Sequence, residues 1–392
     1  MTTTTSSASS RLDGLDVWFF ATVPWDFALL GRSRYLALGL RALGARVTFV
    51  EPPSLKKSLN RLRHPHDAPD DLLVLPMPPS IPKISDRLPV VPRLHDAAQR
   101  TWLRAALFGR PPPVAIVSTP RWAPVLEGVP FSKVVYDCLD DLRVHSEPAR
   151  LARFQAWERD LLQRSAASLA VSPALAQNLE SKGGQRVQVL GNGVCVDEFV
   201  RCSRPADPKG PRKRIGYLGA LYEWVDIDLL ASAARELPEH EFVLVGPVRR
   251  GVNVSALARL PNVVLPGYRA YPDVPKAMAS FDVSLIPFKE GVVARAADPI
   301  KIYEYFCFGT PVVTTPVSDV ERIGELLYVA SGPKAFADGI RAALAESDPT
   351  LRERRIAYAR ANDWSERSRA VAELLLDLLR PRGAAWIGAA SS

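Results

Sequence analysis

The sequence predicts an α/β molecule of two doubly wound, Rossmann-like domains facing each other across a cleft, and three observations carry that expectation. Short apolar runs alternate with helical stretches in two separate series, one opening at LDVWFF (15–20) and the other at RIGYLG (214–219). A chain of 392 residues exceeds what one ordinary hydrophobic core serves. Between the two series lies RCSRPADPKGPR (201–212), whose prolines, glycine and charges give it linker composition. The expected layout is a polar, disordered tail over 1–12, an N-terminal domain over 13–203, a C-terminal domain over 204–363 and a last helix over 364–380.

Composition removes several classes of protein. With 47% hydrophobic and 23% charged residues the chain reads as soluble and globular. No apolar run approaches the roughly 18–20 residues that cross a bilayer. The opening MTTTTSSASSR has no apolar signal core. Cys138, Cys195, Cys202 and Cys307 lack the close spacing of a zinc site, and a chain this long needs no disulfide framework, so the cytoplasm is expected. The net charge of +8 falls mostly in residues 1–203, which hold 25 Lys and Arg against 19 Asp and Glu. No RNA-binding signature or zinc finger accompanies that excess, so nucleic acid is not an expected partner.

The first series begins with a strand at 15–20, the loop ATVPWDF, a helix over 31–43 and a second strand, RVTFV (46–50). Strand, helix and strand in that order make a parallel βαβ unit, whose ligands bind beyond the carboxyl ends of the strands. From Pro52 to Pro113 the rhythm lapses into a proline-rich region with two basic clusters. SLKKSLNRLRHPH (54–66) carries Lys56, Lys57, Arg61 and Arg63; QRTWLRAALFGR (99–110) puts Trp102, Leu103, Ala106 and Leu107 on one helical face flanked by Arg100, Arg104 and Arg110. A basic amphipathic helix with a tryptophan at its margin suits a membrane interface, and such a stripe equally suits packing on its own domain. Strands return at PVAIVST (113–119), KVVYD (133–137) and SLAVS (168–172), and VQVLGNGV ends the domain on a Gly-Asn-Gly turn.

The second series, RIGYLG, EFVLVG, NVVLPG and DVSLIP, alternates with short helices. It leads to the most informative stretch, DPIKIYEYFCFGTPVVTT (298–315). Asp298 suits an N-cap, Pro299 the first helical position, and Gly309 the left-handed stop before a Val312-Val313 strand. Lys301 and Glu304 then share one helical face. A helix N-terminus with a lysine attracts phosphate oxygens, and a carboxylate one turn later accepts ribose hydroxyls. The plain alternative is an exposed ion pair. Gly219 closes the strand of RIGYLG, and its strand-to-helix turn permits a close backbone approach to phosphate.

This proline, lysine, YEY, glycine and Pro-Val-Val pattern resembles the C-terminal donor site of GT-B glycosyltransferases, most similar to family 4 enzymes of exopolysaccharide and teichuronic acid assembly. SFDVSLIPF (280–288), LGNGVCVDEF and the run from Val252 to Phe288 resemble the same family. The resemblance implies a hexosyltransferase in which Glu304 holds the nucleotide ribose and Lys301 the diphosphate of a UDP-sugar, with the loop Gly267–Tyr271, hence Tyr268, facing the base. It implies that the loop holding Trp25 and Asp26 faces the acceptor, and that the last helix crosses back onto the first domain. Many of these enzymes carry a second glutamate eight residues before the first; here that position is Ala296.

Glycosyl transfer needs a base for the acceptor hydroxyl and charge stabilisation for the departing diphosphate. Backbone at Gly219, the helix start near Pro299, Lys301 and Arg295 supply the second, and with no Asp-x-Asp pair in the donor loops neither a metal nor another cofactor is expected. Asp140 and Asp141 stand just beyond a strand end, adjacent carboxylates expected to raise one another's pKa. In the similar glucuronosyltransferases VVYDCLD matches Asp140 to the proposed catalytic aspartate, which makes Asp140 the base and leaves Asp141 beside the acceptor; His145 is a weaker candidate. An aspartate base implies inversion. The acceptor is expected to be a lipid-linked saccharide at the inner face of the membrane, docked through Lys56, Lys57, Arg61, Arg63, Trp102 and Leu103 on anionic lipid. A soluble small-molecule acceptor, a sugar-nucleotide epimerase and a non-catalytic assembly scaffold remain open alternatives at this stage.

Overall fold

The computed structural model describes residues 12–27, 31–54, 68–79, 90–145, 148–202, 212–318 and 320–380. The basic residues Lys56, Lys57, Arg61 and Arg63 and most of the linker lie outside them.

The N-terminal half runs β1 (Asp16–Phe20), α1 (Arg32–Ala42), β2 (Arg46–Glu51), β3 (Leu73–Pro76), α2 (Val90–Ala106), β4 (Val114–Val117), α3 (Ala123–Leu126) and β5 (Lys133–Cys138). It continues with α4 (Leu142–His145), α5 (Pro148–Arg164), β6 (Ala167–Ala170), α6 (Pro173–Ser181), β7 (Val187–Val189) and α7 (Val196–Val200). Its seven strands form one sheet in the order β3-β2-β1-β4-β5-β6-β7, and every pairing is parallel. A parallel sheet is covered on both faces, which is why β1 is apolar and buried from Val17 to Phe20. Val17 and Phe19 enter one core layer, Trp18 and Phe20 the other.

The C-terminal half runs β8 (Arg214–Leu218), α8 (Ile227–Glu236), β9 (Glu241–Val245), α9 (Ser255–Ala258), β10 (Val263–Gly267), α10 (Val274–Ala279), β11 (Val283–Ile286) and α11 (Val292–Ala296). Then follow α12 (Ile300–Phe306), β12 (Val312–Thr314), α13 (Val320–Ile323), β13 (Leu327–Val329), α14 (Pro333–Leu344), α15 (Pro349–Ala361) and α16 (Trp364–Leu379). The sheet order is β10-β9-β8-β11-β12-β13, again parallel. In both sheets the order reverses beside the first strand, between β1 and β4 and between β8 and β11. Such a switch point leaves a crevice at the strand ends where ligands bind.

Helix α16 crosses back as the sequence suggests: Trp364, Val371, Leu374 and Leu375 belong to the core layer of the N-terminal half. It meets α1 at Gly39, where a Cβ would lie 1.9 Å from the Ser368 hydroxyl, so the helices approach more closely than any side chain at 39 permits. Strands β3 and β13 were not legible in the sequence. Each is a short edge strand of three or four residues with mixed exposure, lacking the continuous apolar run of the central strands.

Candidate active site

Helix α12 and the end of β8 build the C-terminal wall of the cleft. Gly219 has φ +146°, and a Cβ there would stand 2.4 Å from Cε and 2.9 Å from Nζ of Lys301. Only glycine lets the lysine lie across this strand end. The ammonium also sits 5.9 Å from the Tyr217 ring centroid. Burial lowers the Lys301 pKa, and the Glu304 carboxylate partly restores it. Glu304 is 9% exposed. Burial raises its pKa to about 7, Lys301 opposing the shift and Glu198 adding to it. Among the described residues, no group hydrogen-bonds the side chain of Lys301 or Glu304. A buried carboxylate and a partly buried ammonium that have each other's charge but no hydrogen-bond partner among the described residues are costly unless something else binds them.

Asp298 does not cap α12; Pro299 occupies the N-cap position. The Asp298 carboxylate instead accepts from the backbone N–H of Asn192 and from the Tyr303 hydroxyl at 2.8 Å. Its carbonyl accepts from Asn192 Nδ2 at 2.8 Å. The Gly-Asn-Gly turn is therefore an inter-domain clasp, and Arg367 of α16 closes it by donating to the Asn192 carbonyl at 3.0 Å. A second bridge joins Tyr35 of α1 to the C-terminal half: its hydroxyl lies 3.3 Å from that of Tyr271 and donates to Glu198 at 3.2 Å. Tyr35 stacks on Trp364 at 5.2 Å.

Across the cleft, Asp140 is exposed just past the end of β5. Asp141 is buried and committed locally, accepting from the backbone N–H of Arg143 at 2.9 Å and from its guanidinium at 2.9 and 2.6 Å. That guanidinium holds the Asp141 carboxyl below the usual range. The adjacent-carboxylate expectation thus fails for Asp141, because a charged hydrogen-bond partner outweighs a neighbouring carboxylate. Helix α11 comes over from the other half to lie beside α4 and α6. It carries Arg295 exposed, while Ala296 packs into the core layer around Trp18 and Phe20 of the N-terminal half. Position 296 therefore serves domain docking. The side chain of His145 lies outside the described residues.

Other expected contacts fall elsewhere. Trp25 is 1% exposed, edge-on to Phe49 at 5.1 Å with Arg34 4.7 Å above it, so its indole belongs to the core and not to the cleft. Asp26 beside it is exposed. Tyr268 is exposed on the loop after β10. Leu103 is fully buried and Trp102 partly buried against the same layer as Trp18. Arg100 and Arg104 are tied to the carbonyls of Pro124 and Gly128. The stripe of α2 thus packs on its own domain, and the expectation that Trp102 and Leu103 meet lipid is corrected. Among the described residues of α2 and the turn after it, the exposed large apolar side chains are Leu94 and Phe108.

Sequence reading passed over Asp137. It is fully buried at the end of β5, with Arg32 Nε donating to both its oxygens at 3.1 and 3.0 Å and Arg32 Nη1 donating to the Gly191 carbonyl at 2.9 Å. A charge closing the apolar run KVVYD is the signal that pointed to it. Nothing in NGVCVDEF marked Glu198.

Comparison with known proteins agrees with this architecture. Residues 212–346 match the family of glycosyl transferases group 1. The chain is 27% identical over 256 residues to a putative teichuronic acid biosynthesis glycosyltransferase, TuaH, of Bacillus subtilis strain 168; the match spans 60% of this chain and 64% of that relative, just under two thirds of its length. HepE of Anabaena, solved with UDP and glucose, superposes with a TM-score of 0.66 at 17% identity, covering 92% of this chain and 99% of that one. Sucrose-phosphate synthase of Thermosynechococcus elongatus gives 0.69 at 16% identity, covering 93% and 99%. Identities so low speak for the fold, and that fold is GT-B. Residues 212–346 are thus similar to a group 1 glycosyl transferase domain, set within a chain of GT-B fold.

Proposed function

We propose that the protein transfers a hexose from a UDP-sugar to a lipid-linked saccharide precursor of a cell-surface polysaccharide. The observation that carries this reading is the pair on α12: Lys301 lying over Gly219 and Glu304 buried one turn on, neither hydrogen-bonded by a described residue. The diphosphate of a nucleotide sugar supplies the charge that Lys301 lacks, and the ribose hydroxyls supply the donors that Glu304 lacks. Names of similar proteins support the reading: one is assigned to teichuronic acid biosynthesis, and another was solved with UDP-glucose.

Lys301, backbone at Gly219 and Arg295 stabilise the leaving diphosphate, with no metal required. Asp140, the more exposed of the two aspartates, takes the proton of the acceptor hydroxyl, with inversion at the anomeric carbon. Membrane docking rests on the basic residues of 54–66 together with Leu94 and Phe108, on anionic lipid at the inner face. No described helix is long and apolar enough to cross a membrane. The inward packing of α2 favours, as a second reading, a soluble acceptor.

A thermal-shift series with UDP, GDP, dTDP and ADP tests the donor site, and flotation on neutral and anionic liposomes separates the two acceptors. Stabilisation by UDP above the others, lost in Glu304→Ala, is expected. No stabilisation by any nucleotide overturns the reading.

A further inference from the structure

The loop from β8 to α8 begins at Gly219 beneath Lys301 and ends at Asp226, whose carboxylate caps α8 by accepting from the Leu229 N–H at 2.9 Å. Between these points Tyr222 and Trp224 stack face to face, with ring centroids 4.2 Å apart and planes within 7°. The guanidinium of Arg249 lies 5.5 Å from the Tyr222 ring. Both rings are half-buried, and around them Val248, Arg249 and Lys289 are exposed. The stack therefore stands at the rim of the sheet's carboxyl end and not inside the core.

Two neighbouring loops hold it rigid. Leu221 N–H donates to the Pro247 carbonyl at 2.9 Å, and Arg249 N–H returns a bond to the Leu221 carbonyl at 3.0 Å. Lys289 N–H donates to the Trp224 carbonyl, and Asp226 N–H to the Pro287 carbonyl, both at 2.7 Å. The shelf is thus clamped by the segments that follow β9 and β11, on both sides of the switch point. It also adjoins the phosphate-binding lysine. The Tyr222 phenol is near enough to Tyr217 to push its pKa further up, and the Tyr217 ring faces Lys301.

A rigid aromatic face offers an apolar, electron-rich surface that matches the C–H face of a pyranose ring. Exposed charges on the shelf are of both signs, Arg249 and Lys289 against Glu223 and Glu290, so recognition here is by ring shape more than by charge. The sugar of a nucleotide sugar is bonded directly to the diphosphate, and this shelf starts where the diphosphate lysine ends. We infer that Trp224, held flat by Tyr222 and Arg249, is the platform for the donor pyranose and selects the sugar that is transferred. This rests on the UDP-sugar reading above.

The test is calorimetric titration of the full chain with UDP, UDP-glucose, UDP-galactose and UDP-glucuronate, alongside steady-state transfer. Trp224→Ala should leave UDP affinity within two-fold of wild type yet weaken the preferred UDP-sugar roughly 3- to 10-fold. Trp224→Phe, which keeps a ring and guards against misfolding, should restore most of that loss, and Tyr222→Leu should show an intermediate effect. Equal weakening of UDP and UDP-sugar in a folded Trp224→Ala variant overturns the platform, since the shelf would then only support the nucleotide site. So does unchanged affinity for all three sugars, or a change confined to the KM of the acceptor. A wild-type chain that binds neither UDP nor any UDP-sugar instead refutes the nucleotide reading itself and removes the occupant with it.

Discussion

Glu304 titrates where a pH series can read it, and its role predicts the shape of that series. Burial raises its carboxyl from 4.5 to about 7. Only the ionised form accepts both ribose hydroxyls, so UDP-sugar affinity should climb with pH and level off above about 8. From pH 5.5 to pH 8 the ionised fraction rises roughly 30-fold, or about 2 kcal/mol of binding. UDP-glucose is the proper probe, because its diphosphate is a diester, whereas a terminal phosphate titrates near pH 6 and would blur the profile. Stability should run the other way. A carboxyl whose folded pKa is raised stabilises the fold most below its unfolded pKa of 4.5, and that contribution is lost as pH rises through 7. The loss is ~3 kcal/mol at most. Glu304→Gln should therefore raise the melting temperature of the ligand-free protein at pH 8, change it little at pH 4.5, and bind UDP-glucose weakly with a flat profile. Calorimetry and thermal melts across pH 5.5–8.5 check both. A flat wild-type binding profile, or a Gln variant that keeps the slope, refutes the assignment of Glu304 to the ribose.

Asp140→Asn should cut transfer roughly 10²- to 10⁴-fold with UDP affinity intact, whereas Asp141→Asn should cost on the order of 1–2 kcal/mol of stability through lost bonds to Arg143 and leave transfer within a few-fold; the reverse pattern in steady-state kinetics would move the base by one residue. Gly219→Ala should displace Lys301 and lower kcat at least 10-fold, with a cost of roughly 1–3 kcal/mol from the strained φ, so a variant with wild-type turnover would exclude the close approach as a catalytic feature. Leu103→Ser should lower stability by roughly 2–4 kcal/mol, as burial of its side chain requires, while liposome flotation follows charge reversal at Lys56, Lys57, Arg61 and Arg63 instead; flotation lost in Leu103→Ser at unchanged stability would return α2 to the membrane. Dialysis against EDTA should leave transfer unchanged, and recovery of a lost activity by Mg²⁺ or Mn²⁺ would show that the fixed cations do not suffice.

The parts of this molecule legible in its sequence are those fixed by local chemistry. Central strands buried on both faces carry continuous apolar runs, so VWFF, VAIV and FVLV within LDVWFF, PVAIVST and EFVLVG announced themselves. The pairing of Lys301 with Glu304 follows from helical spacing within one segment. What stayed hidden depends on residues far apart in the chain. Asp298 carries a good capping side chain, yet that carboxylate reaches Asn192, 106 positions away, because a bond between domains was available to it and the first turn of α12 dispensed with a side-chain cap. Trp102 and Leu103 show the same limit: an amphipathic stripe reports that a face is apolar and says nothing of whether lipid or its own domain covers it. Spacing put Asp140 and Asp141 side by side as equals, and the three bonds from Arg143 separated them. Three further residues, Tyr35, Glu198 and Tyr271, come from three segments that meet only when the halves close, and Glu198 helps set the proton affinity of Glu304. The carboxylate proposed to hold the ribose is therefore legible in the sequence, whereas its raised pKa comes first from burial in the fold, with Glu198 adding to it. A change that parts Tyr35 from Tyr271 should alter nucleotide affinity with no ligand-contacting residue touched.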